Sequence, residues 1–186
     1  DDWQCDTYDP VTALVWWGSY VGHKVQTCDC QVLPEPNRPD YFLLSIWSDI
    51  PDPYPGNPHT FSKPGTLLWQ RRAKTADVDA VMVGFDKHPE GLHIVPGREA
   101  VYRYSVRLPR HKWFFQAGRR NIYWFSVVAV YDRNVDDLDY PWGWTNHPKK
   151  FNDHAVTGHF PSGYPWGDEM QWQPLYDQTG AGEDMS

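Results

Sequence analysis

Hydrophobic and polar residues alternate with period two along most of this chain, and no stretch of ten or more residues sustains a helical period. The cleanest alternation runs from Val101 to Leu108, with Tyr102, Tyr104, Val106 and Leu108 on one face and Arg103, Ser105 and Arg107 on the other. That pattern predicts a half-exposed antiparallel strand. Phe42, Leu44 and Ile46 alternate in the same way with Leu43, Ser45 and Trp47, and the run stops at Asp49-Ile50-Pro51. Asn121 to Tyr131 is apolar on both faces, which predicts a strand at the centre of a sheet, covered on each side. Val11 to Tyr20 reads as another long strand, and 66–70, 80–85, 142–145 and 155–158 read as short ones.

Turn chemistry separates these runs: Asp52-Pro53-Tyr54-Pro55-Gly56-Asn57-Pro58, Lys63-Pro64-Gly65, Pro96-Gly97 and Pro161-Ser162-Gly163. Seven or more short strands joined by such turns, with few or no helices, imply an all-β fold, a single-domain antiparallel β-sandwich of jelly-roll-like type spanning residues 1–186. The tail from Gln178 to Ser186 is polar and glycine-rich and reads as a disordered end.

Composition agrees with strands and turns: 11 Trp, 11 Tyr and 8 Phe, with 17 Pro and 14 Gly. A net charge of −7 argues against sequence-independent nucleic-acid binding, which needs clustered Lys and Arg. The tight basic pairs Arg71-Arg72, Arg119-Arg120 and Lys149-Lys150 read as solvated strand-end or loop charges. No apolar run approaches the roughly 18 residues of a membrane span. The chain opens on Asp1-Asp2-Trp3 without a Met, as a processed or excised product does, so a leader already removed is expected. Cys5, Cys28 and Cys30 cannot all pair internally; the close spacing of Cys28 and Cys30 disfavours a bridge between them, so Cys5 to Cys28 or Cys30 is the expected disulfide. The odd thiol is then free or joined to another segment or chain. A zinc site is the competing reading, without histidines at finger spacing to support it.

The order of several motifs resembles a family of uncharacterised secreted bacterial domains, found in exported and surface proteins that often carry C-terminal sorting anchors. The residues that carry it are Asp1-Asp2-Trp3-Gln4-Cys5, Trp16-Trp17-Gly18-Ser19-Tyr20, Ser45 to Pro51, Pro64 to Trp69, Tyr123 to Ala129 and Trp142-Gly143-Trp144. The resemblance implies an extracellular β-sandwich and brings no activity with it. Such domains close on a hydrophobic strand, whereas this sequence ends in Gly182-Glu183-Asp184-Met185-Ser186. The final strand is therefore expected to be truncated or supplied by a neighbouring molecule, by strand exchange at an open sheet edge.

Candidate chemistry is sparse. The sequence has no G-x-S-x-G nucleophile elbow and no HExxH motif, and its eight histidines are scattered, so no enzyme is expected. Asp132, Asn134, Asp136 and Asp137 follow the central strand with the alternating oxygens of a calcium loop, but Asp137 stands where such a loop needs Gly and no bidentate Glu follows. A solvated acidic loop is the alternative, and no cofactor beyond that possible calcium is implied. The aromatic surplus of the last third is the richest signal. Trp142, Trp144, Tyr164 and Trp166 are the candidate ligand-binding residues, because sugar faces stack on flat rings flanked by polar groups. That expectation requires exposed, coplanar rings. A carbohydrate-binding or adhesive module, with a polysaccharide or other surface component as partner, is thus the leading expectation. A structural subunit that assembles with copies of itself is the alternative, and a metal-dependent enzyme follows behind.

Overall fold

The computed structural model describes residues 1–24, 36–55, 57, 60–85, 99–132, 138–147, 155–159, 171–174 and 184–185. Among them lie twelve strands: β1 (Asp2–Gln4), β2 (Ala13–Lys24), β3 (Tyr41–Ile50), β4 (Lys63–Lys74), β5 (Asp79–Phe85), β6 (Glu99–Arg107), β7 (Ile122–Val130), β8 (Trp142–Trp144), β9 (Asn146–His147), β10 (Val156–His159), β11 (Gln171–Pro174) and β12 (Asp184–Met185). The only helical pieces among the described residues are single 3-10 turns at Thr75–Asp77 and Arg110–Lys112. No described helix is long and apolar enough to cross a membrane.

Two four-stranded antiparallel sheets, ordered β1-β7-β3-β4 and β5-β6-β2-β8, face one another as a β-sandwich. The period-two pattern explains which side of each strand faces in. Tyr104, Val106 and Leu108 from the β6 segment meet Leu14, Trp16 and Tyr20 of β2, and across the gap they meet Phe42 and Leu44 of β3 and Val127 of β7. At the centre, Trp16 stacks on Tyr104 at 5.7 Å and turns its edge to Phe42 at 5.3 Å. A smaller cluster of Cys5, Ile46, Phe114 and Tyr123 closes a second part of the core.

Several expectations are corrected. β4 is twelve residues long and runs through Pro64-Gly65, which reads as a turn in sequence. It is an edge strand whose pairing with β3 slips at Trp47 and Asp49, and at such an edge a proline's missing N–H disrupts no inner ladder. Gly65 is required there, since a Cβ would lie 2.8 Å from both Ile50 Cγ1 and Ser48 Oγ. β3, not β7, is the strand buried on both faces: Phe42 to Trp47 are all buried, whereas Val128 of β7 is exposed. Of the tail expected to be disordered, only Asp184 and Met185 are described: as β12 they pair antiparallel with β9 in a separate two-stranded sheet, Asp184 opposite His147 and Met185 opposite Asn146, while 178–183 and 186 lie outside the described residues. Cys5 is a free, buried thiol in place of the expected half of a disulfide, with Sγ donating to the Thr7 carbonyl at 2.6 Å. Cys28 and Cys30 lie outside the described residues.

Candidate functional site

Trp142 and Trp144 sit on β8, a three-residue strand held against β2 through Gly18 to Tyr20. Glycine at position 18 lets the Trp142 indole lie directly on the β2 backbone, where a Cβ would stand 2.5 Å from two of its ring carbons. Trp142 is therefore a core side chain, 9% exposed, edge-on to Phe42 at 5.2 Å and to Tyr104 at 6.0 Å. The backbone N–H of Trp142 also donates to the Tyr131 hydroxyl at 2.8 Å, and burial holds that phenol above its ordinary pKa of 10.0. The expected exposed, coplanar pair is not found: the two indoles are 6.0 Å apart and inclined at 59°. Sequence spacing correctly put both rings together; it did not show that the sandwich interior would claim one of them.

Trp144 is half-buried on the same face of β8 and packs against the edge of the same core cluster. Its Nε1 donates to the Val127 carbonyl at 3.2 Å, and its ring meets Phe125 edge-on at 6.4 Å. Ahead of β1, Asp1 continues the pairing with β7: its backbone nitrogen donates to the Phe125 carbonyl at 3.0 Å and its carbonyl accepts from the Phe125 N–H at 2.7 Å. The indole N–H of Trp144 thus satisfies a backbone acceptor of β7, the Val127 carbonyl.

The hairpin of β10 and β11 completes this region, with Trp172 of β11 meeting Trp47 of β3 at 5.5 Å, edge to face. Between β7, β8 and the hairpin lies a cleft of about 270 Å³. Its aromatic lining comes from Trp124, Phe125, Trp144 and Trp172, and its polar lining from Asp1, Ser126 and Thr157. Trp124 is fully buried, with its Nε1 committed to Asp49 Oδ1 at 2.8 Å, so it backs the cleft and offers a ligand neither a donor nor an open ring face. Ser126 Oγ accepts from Trp47 Nε1 at 2.9 Å, which leaves its own proton to donate. This is an apolar recess with a few hydroxyl and carboxylate groups at fixed places, the usual make-up of a small-molecule site, at the small end of the size range.

Of the sequence candidates, Trp144 lines the cleft and Trp142 packs behind it in the core; Tyr164 and Trp166 lie outside the described residues. Trp124, Phe125 and Ser126 were missed as site residues because β7 reads as wholly structural; the signal for Trp172 was its membership of the aromatic-rich last third. Asp132 is exposed, with its N–H donating to Asp40 Oδ2 at 2.7 Å, while Asn134, Asp136 and Asp137 lie outside the described residues. Among the described residues no three His, Cys, Asp or Glu side chains group closely enough to share an ion. His23 packs edge-on to Tyr140 at 5.1 Å, and His111 is exposed on a 3-10 turn.

No curated protein and no solved structure matches this chain. A family model spans residues 1–185, and the chain belongs to that family, a domain of unknown function (DUF7901).

Proposed function

We propose that this chain is an exported, non-catalytic β-sandwich module that binds carbohydrate, with the cleft between β7, β8 and the β10–β11 hairpin as its sugar site. The observation that carries this reading is the convergence of the half-buried rings Phe125, Trp144 and Trp172, backed by the buried Trp124, with Ser126 and Thr157 around about 270 Å³, room for a sugar ring. Apolar C–H faces of a pyranose stack on indole, and fixed hydroxyls select the orientation of the sugar's own. The extracellular setting rests on the motif order of the sequence, and the non-catalytic reading on its lack of a nucleophile or metal signature.

Glycan-array screening followed by calorimetry tests the proposal. Wild-type protein binds a defined saccharide class, and Trp172→Ala weakens that binding at least about tenfold, 1.4 kcal/mol, while the circular dichroism of the sandwich is unchanged. No binding across neutral and acidic polysaccharides, or equal binding by Trp172→Ala, overturns it.

A second reading, a subunit that assembles through its sheet edge, has its own support. β5 is an edge strand with Val81, Met82, Val83 and Phe85 exposed at 53%, 43%, 52% and 37%. Long apolar edges of this kind template strand addition and are normally blunted by charge. Sedimentation at high concentration tests it: concentration-dependent association that Val81→Lys abolishes supports assembly, and a monodisperse monomer throughout rejects it.

A further inference from the structure

A second cavity, of about 290 Å³, opens between the two sheets where β2, β3, β5 and β6 approach the 3-10 turn at Thr75–Asp77. Its walls are the rings of Tyr20, Tyr102, Tyr104 and Phe42, and Arg38 lines it from the segment preceding β3. The rings form a continuous surface: Tyr20 lies edge-on to Tyr102 at 5.9 Å, Tyr102 is tilted to Tyr104 at 6.3 Å, and Phe42 lies 5.3 Å from Tyr104. Thr75 is committed, its hydroxyl donating to the Pro39 carbonyl, so it fixes the chain segment that carries Arg38.

The charge of this lining is unlike that of the chain. Among the described residues no Asp or Glu lines the cavity, although acidic side chains outnumber basic ones 24 to 17 overall. Arg38 is exposed and close enough to Tyr20 to act on it electrostatically. Burial holds the Tyr20 and Tyr104 phenols above their ordinary pKa, which keeps both neutral at physiological pH. Among the described residues an incoming anion thus meets one guanidinium and neutral hydroxyls, with no lining carboxylate.

We propose that this cavity binds a compact organic monoanion, a carboxylate on an aromatic or aliphatic body, with Arg38 receiving the carboxylate and the tyrosine rings enclosing the body. A guanidinium presents two parallel N–H donors matched to a carboxylate. A phosphate dianion fits less well, because a single cation leaves one of its charges uncompensated against an aromatic wall. The volume favours one ring or a short chain, at the lower limit of small-molecule pockets. This site is separate from the proposed sugar cleft, shares no lining residue with it, and stands or falls independently.

The test uses benzoate and its neutral isostere benzyl alcohol, titrated into the whole chain and followed by amide shifts in nuclear magnetic resonance spectra. Benzoate shifts the amides of Tyr20 and Tyr102 and binds at least about tenfold more tightly than benzyl alcohol; Arg38→Gln removes that preference, and raising salt to about 0.5 M weakens it. Ala80→Phe, which adds a ring to the cavity wall, blocks both probes while the remaining amide spectrum persists. No benzoate binding up to about 10 mM, equal affinity for the two probes, or an unchanged preference in Arg38→Gln overturns the proposal.

Discussion

Gly18→Ala probes the tightest approach between the two tryptophan-rich motifs, Trp16-Trp17-Gly18-Ser19-Tyr20 and Trp142-Gly143-Trp144, which β2–β8 pairing brings side by side. The new methyl would stand 2.5 Å from Trp142 Cε2 and Cζ2 and 2.6 Å from the Gly143 carbonyl oxygen. Ordinary contact begins about 1 Å further out, so either β8 moves away from β2 or the Trp142 ring leaves the core. Overpacking relieved by a strand shift costs about 1–3 kcal/mol. Expelling the indole re-exposes about 200 Å², which at about 25 cal/mol per Å² amounts to about 5 kcal/mol. The chain takes the cheaper route, so the expected loss is about 2–3 kcal/mol, or a fall in Tm of about 5–10 °C for a chain of this length. Trp142→Ala alone should lose about 3–5 kcal/mol. With the indole gone, only the Gly143 carbonyl still opposes the methyl introduced by Gly18→Ala, so the second substitution adds about 1 kcal/mol rather than its full effect. Urea unfolding of the wild type, both single variants and the double variant, followed by tryptophan fluorescence, reads this coupling. A Gly18→Ala effect below about 0.5 kcal/mol, or additivity within about 0.5 kcal/mol, refutes the contact as the reason for glycine at this position.

Alkaline pH should unfold the protein through its buried phenols: Tyr20, Tyr104 and Tyr131 all titrate above 10.0 in the folded chain. Unfolded chains then lose these protons first, so stability is intact below about pH 10 and falls as pH rises beyond it; urea midpoints at about pH 8 and pH 11, with tyrosinate absorbance, check this, and native titration of all three near 10 contradicts it. Glu99→Ala should cost about 1–3 kcal/mol, because Glu99 accepts from the buried Ser19 hydroxyl and from the Gly22 N–H at 2.7 Å where β2 bulges away from β6. Amide exchange at Gly22 should quicken in that variant, and unchanged exchange would remove the clamp. In a Cys28→Ser/Cys30→Ser background, Cys5, only 4% exposed, should react with a thiol reagent promptly in urea but slowly in buffer. Immediate stoichiometric labelling of the folded chain would contradict its burial.

Local patterning determined the class of this fold and much of its strand inventory. Alternation along Val101 to Leu108 was legible because one face of β6 meets the core while Arg103 and Arg107 meet water, and period two records such an asymmetry directly. The same rule fails for β3. Leu43, Ser45 and Trp47 share the face away from the core, yet all three are buried, and Trp47 is met there by Trp172, 125 positions along the chain. β4 was shortened in sequence because Pro64-Gly65 is turn chemistry locally, and only its place at a sheet edge makes it strand. The candidate cleft divides likewise: an aromatic-rich last third pointed to Trp144, but Trp124, Phe125 and Ser126 join it through packing between β7, β8 and a distant hairpin. The tyrosine-walled cavity had no local signature, since its parts come from four strands of the two sheets, the segment before β3 and the 3-10 turn after β4. A side chain's face can be read from its neighbours in sequence, but what lies opposite that face is a long-range pairing that no short window of sequence contains.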